Sequence, residues 1–248
     1  MICIPVKTKN FKKLVEDFRI SQGFGDLVEI WFDEIPEKDL TEQNLKKILQ
    51  LKKKPIIYKY TAKCTSFGAA YFRRGAGKSR YRRENLILKH LKIDYIDMDI
   101  ETPVNLIKTI KKLSPKSKII ISYHNFKSTP KDNELKRIAK KCLKKGADIV
   151  KIAAFAKTVS DSIRMLKFLE QTKRSFVLAN KGFCVSKNTS TVKVKAICLC
   201  MGEKGRITRM AGHLFGNYLM YAPLELKKKT AEGQIDVKEL RNFQNLIK

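Results

Sequence analysis

The sequence has few histidines and few cysteines, and neither type is clustered. Its three histidines are widely separated, and none of its six cysteines forms a CxxC pair. Structural zinc sites are usually built from closely spaced residues of these two types. We therefore expect no metal site. In a chain of this length without a secretory signal, we also expect the cysteines to remain reduced thiols.

The sequence also lacks long apolar runs. "AICLCM" and "KIIISY" are far shorter than the roughly 20 residues that a membrane-spanning helix requires. The opening "MICIPVKTKN" does not contain the apolar core of about 7 to 15 residues that marks a signal peptide. These absences predict a soluble, cytoplasmic protein with no membrane partner.

Acidic residues are scarce relative to basic ones. The chain has 24 Asp and Glu against 53 Lys and Arg, for a formal net charge of +29. Such a charge points to a polyanionic partner such as nucleic acid. However, the lysines recur at helical spacing, as in "ELKRIAKKCLKKG", which is typical of the solvent-facing sides of amphipathic helices. No nucleic-acid-binding motif accompanies the charge, so nucleic-acid binding stays an alternative that the sequence does not favour.

Short β-rich segments alternate with lysine-rich helical patterns along the chain, as expected for repeated βα units. The predicted strands are residues 2–6, 27–32, 55–60, 94–100, 118–124, 148–155, 175–180 and 195–201. The predicted helices are residues 10–20, 41–52, 80–91, 102–113, 131–145, 158–172, 206–220 and 236–247, the last capped by Asp236 with Glu239. This pattern favours an α/β fold with a single (β/α)8 TIM barrel domain over residues 1–248. No glycine-rich dinucleotide motif follows the first strand, which disfavours an open doubly wound sheet.

One lysine lies within an apolar strand, "ADIVKIAAFA". Burial of Lys151 is expected to lower its pKa below the ordinary value of about 10.4 and to leave a neutral, nucleophilic amine. His124 ends the preceding predicted strand in "SYHNF" and is placed to act as a base. This pair favours proton abstraction next to a carbonyl that is held as an imine. Elimination, isomerisation and aldol cleavage all remain open.

Other polar residues fall where a barrel presents its active site, at the carboxyl ends of strands and in the following loops. Glu29 and Trp31 share one face of the second predicted strand. Arg206 and Arg209 follow the strand at 195–201, and Thr230 and Gln234 lie in "TAEGQ" near the end of the chain. Each of them is a candidate ligand contact, and each also suits a purely structural hydrogen bond.

Five segments together resemble the type I 3-dehydroquinate dehydratases of the shikimate pathway. "ISYHNFKSTP" is similar to the family's histidine motif and "ADIVKIAAFA" to its Schiff-base motif, and 27 positions separate His124 from Lys151 (151 minus 124). "DLVEIWFDEI" resembles the early glutamate strand, "MGEKGRITRMAGHLFGNYLMY" the late arginine segment and "TAEGQIDVKEL" the closing loop and helix. The resemblance covers nearly the whole chain.

The resemblance implies a homodimeric (β/α)8 barrel, a lyase that dehydrates 3-dehydroquinate to 3-dehydroshikimate in aromatic amino acid biosynthesis, without metal or cofactor. It implies that Lys151 forms the imine and that His124 takes the α-proton and then protonates the leaving hydroxyl. The implied substrate contacts are Glu29 at the hydroxyls, Arg209 and Gln234 at the ring carboxylate, Thr230 in place of a serine, and Lys63 in place of an arginine.

The chain departs from the family pattern in the predicted pocket. Trp31 stands where the family has a second-strand arginine, and either Lys63 or Thr61 stands at the position of another arginine. Phe67 replaces a glutamate, Glu232 replaces a proline, and residues 181–194 form an insertion. A lysine cannot reproduce the bidentate contact of an arginine. Arg73, Arg74 or Arg206 would have to compensate. A barrel that has shifted its substrate or lost its activity is therefore the alternative to an active dehydratase.

Overall fold

The computed structural model describes residues 1–60, 76–174 and 195–247, and in these ranges eight parallel strands form one sheet. The strands are β1 (Ile2–Val6), β2 (Leu27–Ile30), β3 (Ile56–Tyr60), β4 (Tyr95–Asp99), β5 (Lys118–Asn125), β6 (Ile149–Phe155), β7 (Lys195–Met201) and β8 (Met220–Tyr221). Each strand from β1 to β6 pairs with the next one in sequence, and β1 also pairs with β8. The predicted (β/α)8 barrel is confirmed.

The sheet closes where the chain enters β8. The backbone N–H of Tyr218 donates to the carbonyl of Ala196 at 2.8 Å. The Asn217 side chain accepts from the Cys198 N–H at 3.0 Å and donates to the Cys198 carbonyl at 3.1 Å. These bonds join β7 to the segment that leads into β8, so backbone groups at the edge of β7 have partners.

Helices surround the sheet. They are α1 (Phe11–Phe24), α2 (Glu42–Leu51), α3 (Ala76–His90), α4 (Val104–Leu113), α5 (Asp132–Lys144), α6 (Val159–Arg174), α7 (Arg206–Ala211) and α8 (Val237–Leu246). Side chains that accept backbone N–H groups start α1 at Asn10, α2 at Thr41 and α8 at Asp236. The predicted cap at Asp236 is confirmed, and it accepts from the N–H groups of Lys238 and Glu239 at 2.9 Å each.

The prediction of one helix over 206–220 is wrong. Helix α7 ends at Ala211, and Met220 belongs to β8. Gly216 has φ = +92°, a conformation that ends helical geometry and suits glycine. The apolar run after it is too short for its periodicity to separate a strand from a helix. The segment predicted as the eighth strand, 195–201, is thus β7. The strand predicted at 175–180 and the insertion at 181–194 lie outside the described residues.

Two apolar layers lie on opposite faces of the sheet. The outer layer packs the strands against the helices, and the inner layer includes Leu27, Ile57, Ile120, Ile149 and Ile197. Side chains alternate between the faces of a strand, so the residue two positions later points inward as well.

This spacing defines a ring of polar residues, here called the polar belt. Its members are Glu29, Lys59, Asp97, Ser122, Lys151 and Tyr221, and all of them are buried. Each one lies two positions after another inward-facing residue, which belongs to the same strand or, for Tyr221, to the segment that leads into β8. The alternation of β-strands thus places six polar groups at one level inside the barrel.

Across the described ranges, no helix combines the length and the apolar character that crossing a membrane requires.

Candidate active site

Lys151 lies at the centre of the polar belt. Its Nζ lies 2.7 Å from Asp97 Oδ2, 3.0 Å from the Tyr221 hydroxyl and 3.4 Å from Glu29 Oε2. The same nitrogen lies 4.1 Å from the centroid of the Tyr221 ring. Three strands, β2, β4 and β8, therefore converge on the amine that β6 carries, and the group has polar partners on several sides.

The prediction of a neutral Lys151 amine is wrong for the resting state of the protein. Burial does favour the neutral form, but the carboxylates of Asp97 and Glu29 outweigh burial and raise the pKa of Lys151 above its ordinary value. The sequence showed the apolar neighbours along β6 and not the two carboxylates that face the lysine across the barrel. The resting amine is therefore a buried ammonium ion.

Asp97 bridges two lysines. Its second oxygen, Oδ1, lies 3.0 Å from Lys59 Nζ, and Lys59 Nζ also donates to Ser122 Oγ at 3.3 Å. Burial opposes ionisation of Asp97, but the charges of Lys151 and Lys59 outweigh it and lower the pKa of the carboxyl group. The belt thus contains two ammonium groups, on Lys59 and Lys151, against two carboxylates, on Glu29 and Asp97.

His124 lies on β5, two residues beyond Ser122 of the polar belt. Ser122 is the residue that pairs with Lys151 on the neighbouring strand β6. Its Nδ1 is 3.9 Å from Asp99 Oδ2, and its ring is parallel within 13° to that of Phe126. Burial, together with the charges of Lys59 and Lys151, lowers the pKa of His124 below 6.5 in spite of the opposing carboxylate of Asp99. The imidazole is therefore neutral near pH 7 and able to accept a proton.

Glu29 has a partner that the sequence did not reveal. The indole N–H of Trp31 donates to Glu29 Oε1 at 3.0 Å, while Glu29 Oε2 faces Lys151. Lys7 Nζ lies 4.7 Å from the centroid of the Trp31 ring. Trp31 therefore orients Glu29 with a single hydrogen bond, and Lys7, which follows β1, places a positive charge beside the indole ring.

Arg209 is buried on α7 and is held by backbone carbonyls. Its Nε donates to the Cys200 carbonyl at 3.1 Å and its Nη2 to the Glu232 carbonyl at 3.4 Å. Burial lowers the pKa of Arg209 to about 10, so the group remains a cation at neutral pH. Arg209 consequently connects the end of β7 to the closing loop of the chain.

The closing loop depends on a close contact between two glycines. A side chain on Gly233, which has φ = +72°, would place its Cβ 2.2 Å from the carbonyl oxygen of Gly202. Gln234 fixes the same loop, because its Oε1 accepts from the N–H groups of Thr230 at 2.7 Å and Ala231 at 3.2 Å. Gln234 and Thr230, both predicted substrate contacts, are thus hydrogen-bonded to each other beside the loop that Arg209 holds.

The structure brings some of the predicted site residues together and not others. Lys151 and Glu29 are in contact in the belt, and His124 is on the neighbouring strand. Gln234 and Thr230 lie in the closing loop, which Arg209 contacts from α7. Arg206 forms ion pairs with Glu239 and Glu203 on the barrel surface. Several predicted positions lie outside the described residues, namely Lys63, Thr61, Phe67, Arg73 and Arg74.

Sequence reasoning missed four members of the belt, Lys59, Asp97, Ser122 and Tyr221. Polar residues at alternate positions of apolar strands were the available signal, as in "IIYKY" and "YIDMD". Considering only residues 1–60, 76–174 and 195–247, no group of three or more His, Cys, Asp or Glu side chains is arranged to hold a metal ion. The amines, carboxylates and hydroxyls of the belt are groups that take part in acid–base and amine chemistry.

Comparisons with known proteins identify similar chains. A family model described as type I 3-dehydroquinase matches residues 2–248. A Methanococcus maripaludis strain C6 protein named 3-dehydroquinate dehydratase is 31% identical over 251 residues, with 100% of both chains covered. An Arabidopsis thaliana protein named bifunctional 3-dehydroquinate dehydratase/shikimate dehydrogenase, chloroplastic, is 32% identical, and the match covers 99% of this chain and 37% of that one.

A solved structure shares the fold. The crystal structure of 3-dehydroquinate dehydratase from Geobacillus kaustophilus HTA426 superimposes with a TM-score of 0.77 at 22% sequence identity. The match covers 99% of this chain and 90% of that chain.

Proposed function

This chain belongs to the type I 3-dehydroquinase family, and we propose that it dehydrates 3-dehydroquinate to 3-dehydroshikimate through an imine on Lys151. The observation that carries the proposal is the position of the Lys151 amine, which is buried inside the barrel and contacted by Asp97, Glu29 and Tyr221. An amine with several polar partners can bind a ketone and exchange protons without access to bulk water.

The first steps involve the protonated Lys151. The ammonium group gives one proton to a neighbouring base or to water, and its lone pair then forms a C–N bond with the ketone carbon. The released proton returns to the ketone oxygen, which leaves as water, and an iminium ion remains. Asp97, at 2.7 Å from Nζ, stabilises the positive charge of this ion. The Tyr221 hydroxyl, at 3.0 Å, is placed to pass protons to or from the nitrogen.

Elimination then proceeds from the iminium ion. The neutral His124 imidazole accepts the α-proton, and the electrons of that C–H bond move toward the iminium nitrogen as an enamine. His124 returns the proton to the departing hydroxyl, which leaves as water, and hydrolysis of the imine releases the product and the free amine of Lys151. The pKa of His124 lies below 6.5, so the ring is in the accepting form at neutral pH.

The remaining predicted contacts position the substrate. Arg209 presents a buried cation beside the closing loop, where we place the ring carboxylate with Gln234 and Thr230. Glu29, oriented by Trp31, accepts hydrogen bonds from substrate hydroxyls. The homodimer that the resemblance implies stays a prediction, as do the cytoplasmic location that the sequence indicates and the contact from Lys63.

Trapping of the imine tests the proposal. Borohydride reduces an imine to a stable secondary amine, so treatment in the presence of 3-dehydroquinate should add mass to the peptide that contains Lys151. The conjugated enone of the product should appear in parallel as new ultraviolet absorbance. Lys151→Ala should lose both signals. Lys195→Ala is the matched control, because Lys195 begins the neighbouring strand β7 at the other end of the barrel and is exposed.

The two signals separate the possible failures. New absorbance without an adduct on Lys151 would leave the activity intact and overturn the imine. A folded protein that gives neither signal would overturn the activity itself and leave the inactive or substrate-shifted barrel as the better description. An adduct without new absorbance would show Schiff-base chemistry that ends in a different reaction.

A further inference from the structure

A second lysine is buried in the barrel, and the mechanism above does not use it. Lys59 projects inward from β3, and its side chain is 6% exposed. Burial of an ammonium group is unfavourable unless other charges and hydrogen bonds compensate for the lost hydration. Because an apolar residue of similar size would fill the same space without this cost, the charge of Lys59 calls for a functional explanation.

The contacts of Lys59 connect it to the candidate nucleophile through one carboxylate. Lys59 Nζ lies 3.0 Å from Asp97 Oδ1, and Lys151 Nζ lies 2.7 Å from Asp97 Oδ2. On its other side, Lys59 donates to Ser122 Oγ at 3.3 Å, and Ser122 in turn donates to the Met98 carbonyl at 3.3 Å. The two lysines therefore share Asp97, and Lys59 is fixed in position by β5 as well.

The charge balance of the belt gives this arrangement a chemical consequence. With both lysines protonated, two positive charges face the two carboxylates of Glu29 and Asp97. Lys151 must release a proton before its amine can attack a ketone. This release leaves one net negative charge in the buried site. Lys59 stays positive during this step, so Asp97 keeps a counter-ion. Without Lys59, the whole charge of Asp97 would favour retention of the proton on Lys151.

We propose that Lys59 is a positioning residue that holds Asp97 between the two amines and allows Lys151 to release its proton before imine formation. This inference rests on the proposed function. It assigns to Lys59 an effect on protonation rather than contact with the reacting atoms, so it predicts a change in pH dependence and not merely a loss of activity.

Several charged groups act on the two titrating side chains, and a pH experiment depends on all of them. Those facing Lys151 are Cys3 on β1, Glu29 on β2, Asp97 on β4 and Tyr221 on β8. Those facing His124 are Lys59 on β3, Asp97 and Asp99 on β4, and Lys151 on β6. Lys59 thus acts on both residues. Its removal raises the pKa of His124 directly and that of Lys151 through Asp97.

The experiment compares imine formation in wild type, Lys59→Met and Lys59→Arg, with 3-dehydroquinate and borohydride over a range of pH. Methionine keeps the length of the side chain and removes the charge, whereas arginine keeps the charge. Lys59→Met should form the adduct on Lys151 about tenfold more slowly than wild type at neutral pH. The variant should reach the neutral-pH rate of wild type at a pH about one unit higher, since a neighbouring charge shifts a pKa by about 1 to 3 units. Lys59→Arg should remain close to wild type.

Two results would overturn the inference. A wild-type rate in Lys59→Met would leave Lys59 with a structural role only, and so would an equal loss in Lys59→Arg when circular dichroism shows that both variants are folded. If Lys59→Met does not fold, the pH profile of Lys59→Arg decides, because a profile displaced from wild type would contradict a role that depends on charge.

Absence of an adduct in the wild type would overturn both the proposed function and this inference, whereas a wild-type adduct with an unaffected Lys59→Met would overturn this inference alone.

Discussion

Asp97 Oδ2 lies 2.7 Å from Lys151 Nζ in the interior of the barrel, and this contact sets the charge of the lysine in the resting state. Burial alone would favour a neutral amine. The carboxylate, supported by Glu29, reverses that preference and keeps the ammonium form. The chemistry that we propose at Lys151 therefore begins with the release of a proton, and the groups around the amine determine how readily this occurs.

Trp31 should report ligand binding directly. It is the only tryptophan in the chain, and it donates to Glu29 within the candidate site. Titration with 3-dehydroquinate or its product should therefore change the intensity or wavelength of the protein's tryptophan emission in a saturable manner. Trp31→Phe should abolish this signal. An emission spectrum that does not respond while product forms would show that the ligand binds away from Trp31 and Glu29.

Tyr221→Phe should slow the reaction with little effect on the fold. The change removes a hydroxyl 3.0 Å from Lys151 Nζ and retains the ring packed against the amine. A hydrogen bond to a charged group contributes about 1.5 to 3 kcal/mol, which corresponds to a decrease in kcat of about 10- to 100-fold.

Tyr218→Phe is the matched control for Tyr221→Phe, since the Tyr218 hydroxyl instead bonds to the Tyr95 hydroxyl at 2.9 Å. Steady-state kinetics of the two variants give the comparison. Equal rates in both would remove Tyr221 from the proton transfers proposed above.

Arg209→Lys should raise KM more than it lowers kcat. Lysine keeps a positive charge but loses the planar fork suited to a carboxylate, so binding of the ring carboxylate should weaken by about tenfold. Arg206→Lys is the control, because Arg206 is three residues away and pairs with Glu239 at the surface.

Thermal unfolding of Arg209→Lys must be measured as well, since Arg209 also donates to the Cys200 carbonyl. A variant with unchanged KM would place the substrate carboxylate elsewhere.

Asp97→Asn should be destabilised by an amount that depends on pH. The pKa of Asp97 is lowered by folding, so its contribution to stability is present above the unfolded value of about 3.9 and is lost as the pH falls through the folded value. The pKa of Lys151 is raised by folding, so its contribution is present below about pH 10.4 and is lost as the pH rises through the folded value.

Urea unfolding of wild type and Asp97→Asn over a pH series tests this linkage. Between about pH 5 and 9, the difference in the free energy of unfolding should be about 3 to 5 kcal/mol, the usual cost of breaking a buried ion pair. The difference should become smaller below about pH 4, as Asp97 begins to be protonated in the unfolded state. A difference that stays constant into strong acid would show that the charge of Asp97 does not stabilise the fold.

The sequence by itself determined the barrel and pointed to the two residues that we propose for its central chemistry. Alternating β-rich and amphipathic segments reflect local periodicity, which depends only on neighbouring residues. The motifs around His124 and Lys151 are local as well, and so is the cap at Asp236. Such features can be predicted from the sequence because each one involves only a few neighbouring residues.

The tertiary structure alone decided the charge of Lys151 and the identity of the eighth strand. The groups that contact the Lys151 amine, Asp97, Tyr221 and Glu29, lie 54, 70 and 122 residues away in sequence. Their effect on a pKa depends on distances of a few ångströms that only closure of the barrel creates. Strand β8 has two residues and is fixed by pairing with β1 rather than by its own sequence pattern. Both properties arise from contacts between distant parts of the chain, which local patterns do not record.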